Sequence, residues 1–115
     1  MLSMIDVPST RAQFAAFPEE IALRLLTATE ADILEWTNRL LDAWKNGEEE
    51  EIRRTRHSLK GLCGNFGATK LTAMSEGALD TPEAQEAFVE MRRRTLYAIR
   101  VVALGAPDHS ASPLP

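Results

Sequence analysis

Residues 48–67 read EEEEIRRTRHSLKGLCGNFG, and this stretch predicts a helix with one buried and one exposed face. The acidic residues suit the positive end of the helix dipole, and Glu49→Arg53 and Glu50→Arg54 ion pairs are expected one turn along. Gly67 predicts the end of the helix, because glycine readily adopts the left-handed conformation found there. With about 100° between successive residues, one stripe faces the core. Its members are Ile52, Thr55, Leu59, Leu62, Cys63 and Phe66.

Upstream of this stretch, the sequence predicts a short helix capped by Ser9 or Thr10, then a second short piece that starts at Pro18. Thr29 is the expected N-cap of a longer helix that ends at Asn46-Gly47. Trp36 and Trp44 of this helix are interpreted as core residues, not as a ligand clamp.

Downstream, residues 68–79 are expected to form a fourth helix. Thr81 as N-cap and Pro82 at the first helical position mark the start of the last helix, which should end near Leu104. Short connections imply antiparallel neighbours. The predicted fold is therefore all-α: an up-down antiparallel four-helix bundle with a short extra N-terminal helix. Residues 1–10 are interpreted as a lead-in, 11–105 as the domain and 106–115 as a flexible tail.

Composition narrows the function classes. The chain has 115 residues, of which 44% are hydrophobic, enough for a single domain. A net charge of −4 weighs against nucleic-acid binding. The single cysteine permits no internal disulfide, and no metal-ligand spacing is present. No apolar run is long enough to span a membrane. A cytoplasmic protein, with no cofactor of its own and monomeric by default, is the simplest expectation.

His57 draws attention because of its neighbours. It lies about 140° from the stripe centre and should face solvent. Gly61 at i+4 and Gly64 at i+7 extend along the same line, and Ala68 continues it if the helix persists. Glycine inside a helix costs about 1 kcal/mol relative to alanine. Two such glycines beside an exposed histidine are reasonable if a partner must approach the imidazole closely.

The charges around His57 support this idea. Lys60 at i+3 and Arg53 at i−4 flank it, so a phosphoryl group on the imidazole would sit between two cations. The sequence offers no phosphate-binding glycine loop and no metal-binding carboxylate cluster, and position 58 carries no acid. A lone exposed histidine is usually a plain surface residue, but this combination at fixed spacing indicates a phosphoryl carrier whose partner drives the transfer.

Residues 57–61 (HSLKG), residues 64–68 (GNFGA) and Leu71 together resemble the signature of histidine-containing phosphotransfer (HPt) domains. The resemblance covers residues 57–71; the remainder of the chain agrees only in length and helix order. It departs at Arg56, where family members often carry a small residue, and Arg56 would have to extend along the edge of the bundle.

The resemblance implies a four-helix bundle in which His57 is phosphorylated, Lys60 offsets the phosphate charge and Gly61 clears space. It also implies partners. A histidine kinase, or the receiver domain of a hybrid kinase, would act upstream, and a response-regulator receiver domain would act downstream. The receiver would supply the aspartate and the Mg²⁺, so the chain itself would be a phosphocarrier and not an enzyme.

Further candidates remain open. Arg53, Gly64 and Ala68 are expected in the partner-docking face. Asn65 either joins that face or caps the end of the helix, and capping is favoured. The arginines at 92–94 are interpreted as a solvated face, with docking of an acidic partner as the alternative.

Two alternative functions are compatible with the predicted helical fold. The first is a docking module that binds and inhibits a receiver or kinase without carrying phosphate. The second is an unrelated helical adaptor, which would lose function on mutation of the last helix but not of His57. An enzyme is the least favoured class, because no second catalytic group accompanies His57.

Overall fold

A computed structural model describes residues 4–105 of the chain, and this part is all-helical, with no strand. The predicted tail, residues 106–115, and the first three residues of the predicted lead-in lie outside the described residues. The five helices are α1 (Val7–Ala15), α2 (Glu19–Asn46), α3 (Glu49–Asn65), α4 (Thr69–Ser75) and α5 (Pro82–Ala103).

The N-terminal segment is part of the folded unit, which corrects the expectation of a loose lead-in up to residue 10. Asp6, not Ser9 or Thr10, caps α1: its carboxylate accepts a hydrogen bond from the Ser9 backbone N–H at 3.4 Å. The Thr10 hydroxyl is fully buried and donates to the Phe66 carbonyl at 2.6 Å. The Asp6 N–H donates to the Gly67 carbonyl at 2.7 Å. These bonds join the start of α1 to the end of α3.

A single helix, α2, runs for 28 residues where the sequence predicted a short piece and then a helix capped by Thr29. Thr29 lies inside α2, and its hydroxyl donates to the Leu25 carbonyl at 2.7 Å. Leu26 and Ile33 on either side of it are both fully buried, so the two predicted apolar stripes are one. At about 1.5 Å per residue, the length of α2 is similar to the longest dimension of the fold, 42 Å.

The helix ends downstream of α2 agree better with prediction. Gly67 has a φ of 72°, the left-handed conformation expected after α3. Thr81 caps α5, because its hydroxyl accepts from the Ala84 N–H at 3.1 Å, and Pro82 is the first residue of the helix. The fourth helix is shorter than expected: α4 ends at Ser75, although Leu79 is still buried.

Three helices, α1, α2 and α4, pack against α3. Both α2 and α4 pack against α3 and against α5, and α1 packs against α2, α3 and α5. Trp36 and Trp44 are partly buried and pack on the core, as interpreted from sequence. The largest fully buried apolar side chains are Leu26, Ile33, Leu40, Leu59, Leu71, Phe88 and Ile99.

Candidate functional site

His57 lies on the exposed face of α3, opposite the core. The core-facing side chains of this helix are Ile52, Thr55, Leu59 and Cys63. The division between buried and exposed positions therefore follows the predicted stripe, and the imidazole is open to solvent.

Gly61 and Gly64 lie next to His57 along α3 and are both exposed. Neither has a positive φ, and a Cβ atom added at either position would meet no atom within 4 Å. The fold therefore requires glycine at neither position: no backbone conformation demands it, and no neighbouring element packs too closely for a side chain. The open surface beside the imidazole is what these two residues provide.

The two arginines on the N-terminal side of His57 form ion pairs one residue out of the predicted register. Arg53 pairs with Glu50, and Arg54 pairs with Glu51 at 3.2 Å. Both pairs are at i,i+3 spacing, so the predicted Glu49→Arg53 and Glu50→Arg54 pairs are wrong. Both spacings bring side chains together on a helix surface, and sequence alone does not choose between them.

Lys60 is exposed and has no ion pair among residues 4–105. Its ammonium group is therefore available for a phosphoryl group on His57. Lys60 is C-terminal to the histidine, and side chains on a helix tilt toward the N-terminus of that helix. This general tilt directs Lys60 toward His57, and His57 lines a depression together with Arg53 and Arg54 on its N-terminal side.

A shallow depression of about 310 Å³ lies on that N-terminal side of the histidine. It is lined by Glu50, Arg53, Arg54, His57 and Ser58. Sequence reasoning did not place Arg54 or Ser58 among the site residues. Arg54 is at i−3 from His57, and residues at this spacing share a helix surface, so its place in the site could have been predicted. The i+1 position of Ser58 gives no such signal.

Arg56 points away from the depression and braces two helices. Its Nε donates to the Ser75 carbonyl at 2.9 Å, and a terminal nitrogen donates to the Gly77 carbonyl at 2.8 Å. Its guanidinium also lies 5.5 Å from the centre of the Trp44 ring. The residue in front of His57, where the sequence departs from the HPt pattern, therefore holds α3 to the end of α4.

Most residues in the second half of the motif, residues 64–71, that the resemblance includes are buried. Phe66 is buried, with its ring 5.6 Å from that of Phe14. Ala68 is fully buried beyond the end of α3, so the expectation that it continues the exposed line is corrected. Asn65 is exposed, and its side chain makes no hydrogen bond with the rest of residues 4–105, which gives the capping interpretation no support.

The arginines of α5 are part of structural ion-pair networks. Arg94 binds Glu90 at 2.9 Å, as predicted, and Arg93 binds the same carboxylate at 2.7 Å. Their hydrogen bonds lower the pKa of Glu90 to about 2. Arg92 differs from the predicted solvated face: it is partly buried, its pKa is lowered by burial, and it donates to the Asn38 side chain of α2 at 2.7 Å.

Burial raises the pKa of the Cys63 thiol to about 11, and a hydrogen bond with Thr72 opposes the rise. Within residues 4–105, no group of three or more His, Cys, Asp or Glu side chains is placed to hold a metal ion. None of the five helices over the same range combines the length and apolar character that crossing a membrane requires.

Searches with protein-family models, curated proteins and solved structures gave no significant match to this chain.

Proposed function

We propose that this chain is a histidine phosphotransfer protein that carries a phosphoryl group on His57 between partners of a two-component phosphorelay. The observation that carries the proposal is the exposed imidazole beside Gly61 and Gly64, two helical glycines for which the fold has no use. In a structural helix they would only cost stability, about 1 kcal/mol each. Beside an acceptor histidine they leave room for a partner's active site.

The arrangement of the helices is compatible with this function. We interpret α2, α3, α4 and α5 as an antiparallel four-helix bundle and α1 as the extra N-terminal helix. In this interpretation His57 projects from the middle of α3, and Arg56 fixes the orientation of α3 against α4. A rigid helix carrying the acceptor is useful, because in-line transfer tolerates little misplacement of the attacking nitrogen.

The transfer step needs little from the carrier. In the neutral imidazole one ring nitrogen has no proton and can attack phosphorus directly. As the phosphorus–nitrogen bond to His57 forms, the phosphorus–oxygen bond of the donor's aspartyl phosphate breaks, and the carboxylate leaves with the electron pair. Lys60 and Arg53 offset the charge on the carried group. Mg²⁺ and the aspartate belong to the partner receiver domain, where they stabilise the transferring group.

The proposed partners follow from this chemistry. A histidine kinase or hybrid-kinase receiver domain donates, and a response-regulator receiver domain accepts. Onward transfer from His57 to the accepting receiver reverses the step above, so the proposed role is that of a carrier and not of an enzyme. The proposal also places the chain in the cytoplasm, as a monomer. Gly64 and Asn65 lie exposed at the C-terminal end of α3, where they would face the docked partner.

The test is phosphoryl transfer from a panel of labelled kinases and receiver domains to the wild type and to His57→Gln. The chain's other histidine offers a matched control, His109→Gln. We expect acid-labile, base-stable label on the wild type and on His109→Gln, and none on His57→Gln, with equal helicity by circular dichroism.

The other outcomes separate the alternatives. Label that persists on His57→Gln would remove His57 as the acceptor. Absence of label on the wild type, with receiver binding still measurable by calorimetry, would favour a docking module that inhibits its partner without carrying phosphate.

A further inference from the structure

The depression on the N-terminal side of His57 contains two cations, Arg53 and Arg54, of which only Arg53 was expected in the site from the sequence. Arg54 lines it together with Arg53 and Ser58. Around the α3 axis, Arg53 and Lys60 lie about 40° and 60° to one side of His57, and Arg54 lies about 60° to the other. Without Arg54, all positive charge would be on one side of a phosphoryl group carried by the imidazole.

Arg54 is close enough to serve this group. Side chains three residues apart on a helix have Cβ atoms about 5–6 Å apart, and His57 and Arg54 line the same depression. The side chain of Arg54 is 67% exposed, so it can change rotamer without disturbing the core.

The present partner of Arg54 is a weak competitor. The Arg54–Glu51 pair is at 3.2 Å on the surface, and such pairs contribute little to stability. A phosphoryl group carries about −1.5 to −2 charges and three acceptor oxygens, and the arginine fork binds it in a bidentate manner. A phosphoryl group on His57 should therefore draw Arg54 away from the single charge of Glu51.

We propose that Arg54 is a phosphoryl-binding residue that exchanges Glu51 for the phosphoryl group when His57 is phosphorylated. This inference rests on the proposed function. Glu51 holds the guanidinium beside the site in the unphosphorylated protein, and its competition weakens the carrier's hold on the phosphoryl group. The Glu51–Arg54 pair thereby sets how readily the group passes on to the next receiver.

The test measures the phosphoryl-exchange equilibrium with one receiver domain for three variants. Arg54→Gln should shift the equilibrium toward the receiver by about threefold or more, and Glu51→Gln should shift it about twofold the other way. The double variant should behave like Arg54→Gln alone, because Glu51 acts only through Arg54. A matched control is Arg94→Gln on α5, an exposed arginine that also pairs with a glutamate.

Each outcome decides something. Equal equilibria for wild type, Arg54→Gln and Arg94→Gln would overturn the exchange while leaving the phosphocarrier intact. A double variant that still shows the Glu51→Gln shift would place the glutamate's effect outside Arg54 and also overturn it. Absence of label on the wild type would remove the proposed function and this inference with it.

Discussion

The Nε atom of Arg56 lies 2.9 Å from the backbone carbonyl oxygen of Ser75, so the residue immediately before His57 is bound to the last residue of α4. A second bond from the same guanidinium reaches the Gly77 carbonyl at 2.8 Å. Both carbonyls are at a helix end, where backbone acceptors lack partners in their own helix. Arg56 is thus a structural residue immediately before the candidate histidine.

Arg56→Met should lower the free energy of unfolding by about 1–2 kcal/mol, because two charge-assisted bonds are lost while the length of the side chain is kept. Urea denaturation checks this. Arg39→Met is the matched control: Arg39 stacks on Trp36 and pairs with Glu35 on the surface, and its loss should cost less than about 0.5 kcal/mol. Equal urea midpoints for the two variants would show that Arg56 does not brace α3 against α4.

Gly61→Ala and Gly64→Ala should each raise the free energy of unfolding by about 1 kcal/mol, since the added methyl groups meet nothing and alanine favours the helix. Gly67→Ala should act in the opposite direction by about 1–3 kcal/mol. Its φ is 72°, and a Cβ there would lie 2.8 Å from the Asp6 carbonyl oxygen. Chemical denaturation of the three variants distinguishes them. A neutral or destabilising Gly61→Ala would mean that the fold does use this glycine.

The exposed line of the site could be predicted from sequence because it depends only on helix periodicity. His57, Gly61 and Gly64 are fixed relative to one another by the 3.6-residue repeat, and the structure places all three on one exposed face. Ala68 was misplaced because α3 ends at Asn65. That end was itself predicted from Gly67, so the sequence already contained the reason against Ala68.

Other errors arose where local signals and burial conflict. Thr29, followed by Glu30 and Asp32, has the composition of a helix start, but Leu26 and Ile33 are both buried in one core and keep α2 continuous. The bonds from Asp6 and Thr10 to the end of α3 join residues more than 50 positions apart, and no local pattern shows them. The bonds from Arg56 to the end of α4 span 19 and 21 positions, and no local pattern shows them either.

Cys63 should react with alkylating reagents only when the protein unfolds. Its thiol is fully buried and has a pKa of about 11, so little thiolate forms at neutral pH. The raised pKa also means that the thiol's contribution to stability is present below pH 9.0 and is lost as pH rises toward about 11. Alkylation by iodoacetamide followed by mass spectrometry should parallel the unfolding curve in urea. Rapid labelling of the native protein would contradict the burial of this side chain.

Glu90 should make stability sensitive to acid. Its pKa is lowered from 4.5 to about 2 by hydrogen bonds with Arg93 and Arg94, so its contribution is present above pH 4.5 and is lost as pH falls toward 2. In Glu90→Gln, the loss of stability between these pH values should be smaller than in the wild type. Glu83→Gln, at the exposed start of α5, is the control. Thermal unfolding across this pH range makes the comparison, and parallel curves for wild type and Glu90→Gln would refute it.

Gly61→Gln should slow phosphoryl transfer to His57 while leaving the fold intact. A glutamine one turn along the same face would occupy the space beside the imidazole that a receiver domain needs, and a small misplacement of reacting atoms costs about 100-fold in rate. We therefore expect a loss of about 10- to 100-fold in transfer from a labelled receiver, measured by rapid quench. Gly61→Ala should lose much less, because a methyl group projects little. The control is Ala87→Gln, which introduces the same side chain at an exposed position of α5 and should leave the transfer rate at the wild-type value. If Gly61→Gln also matches the wild type, the glycine line is not the path by which a partner reaches the histidine.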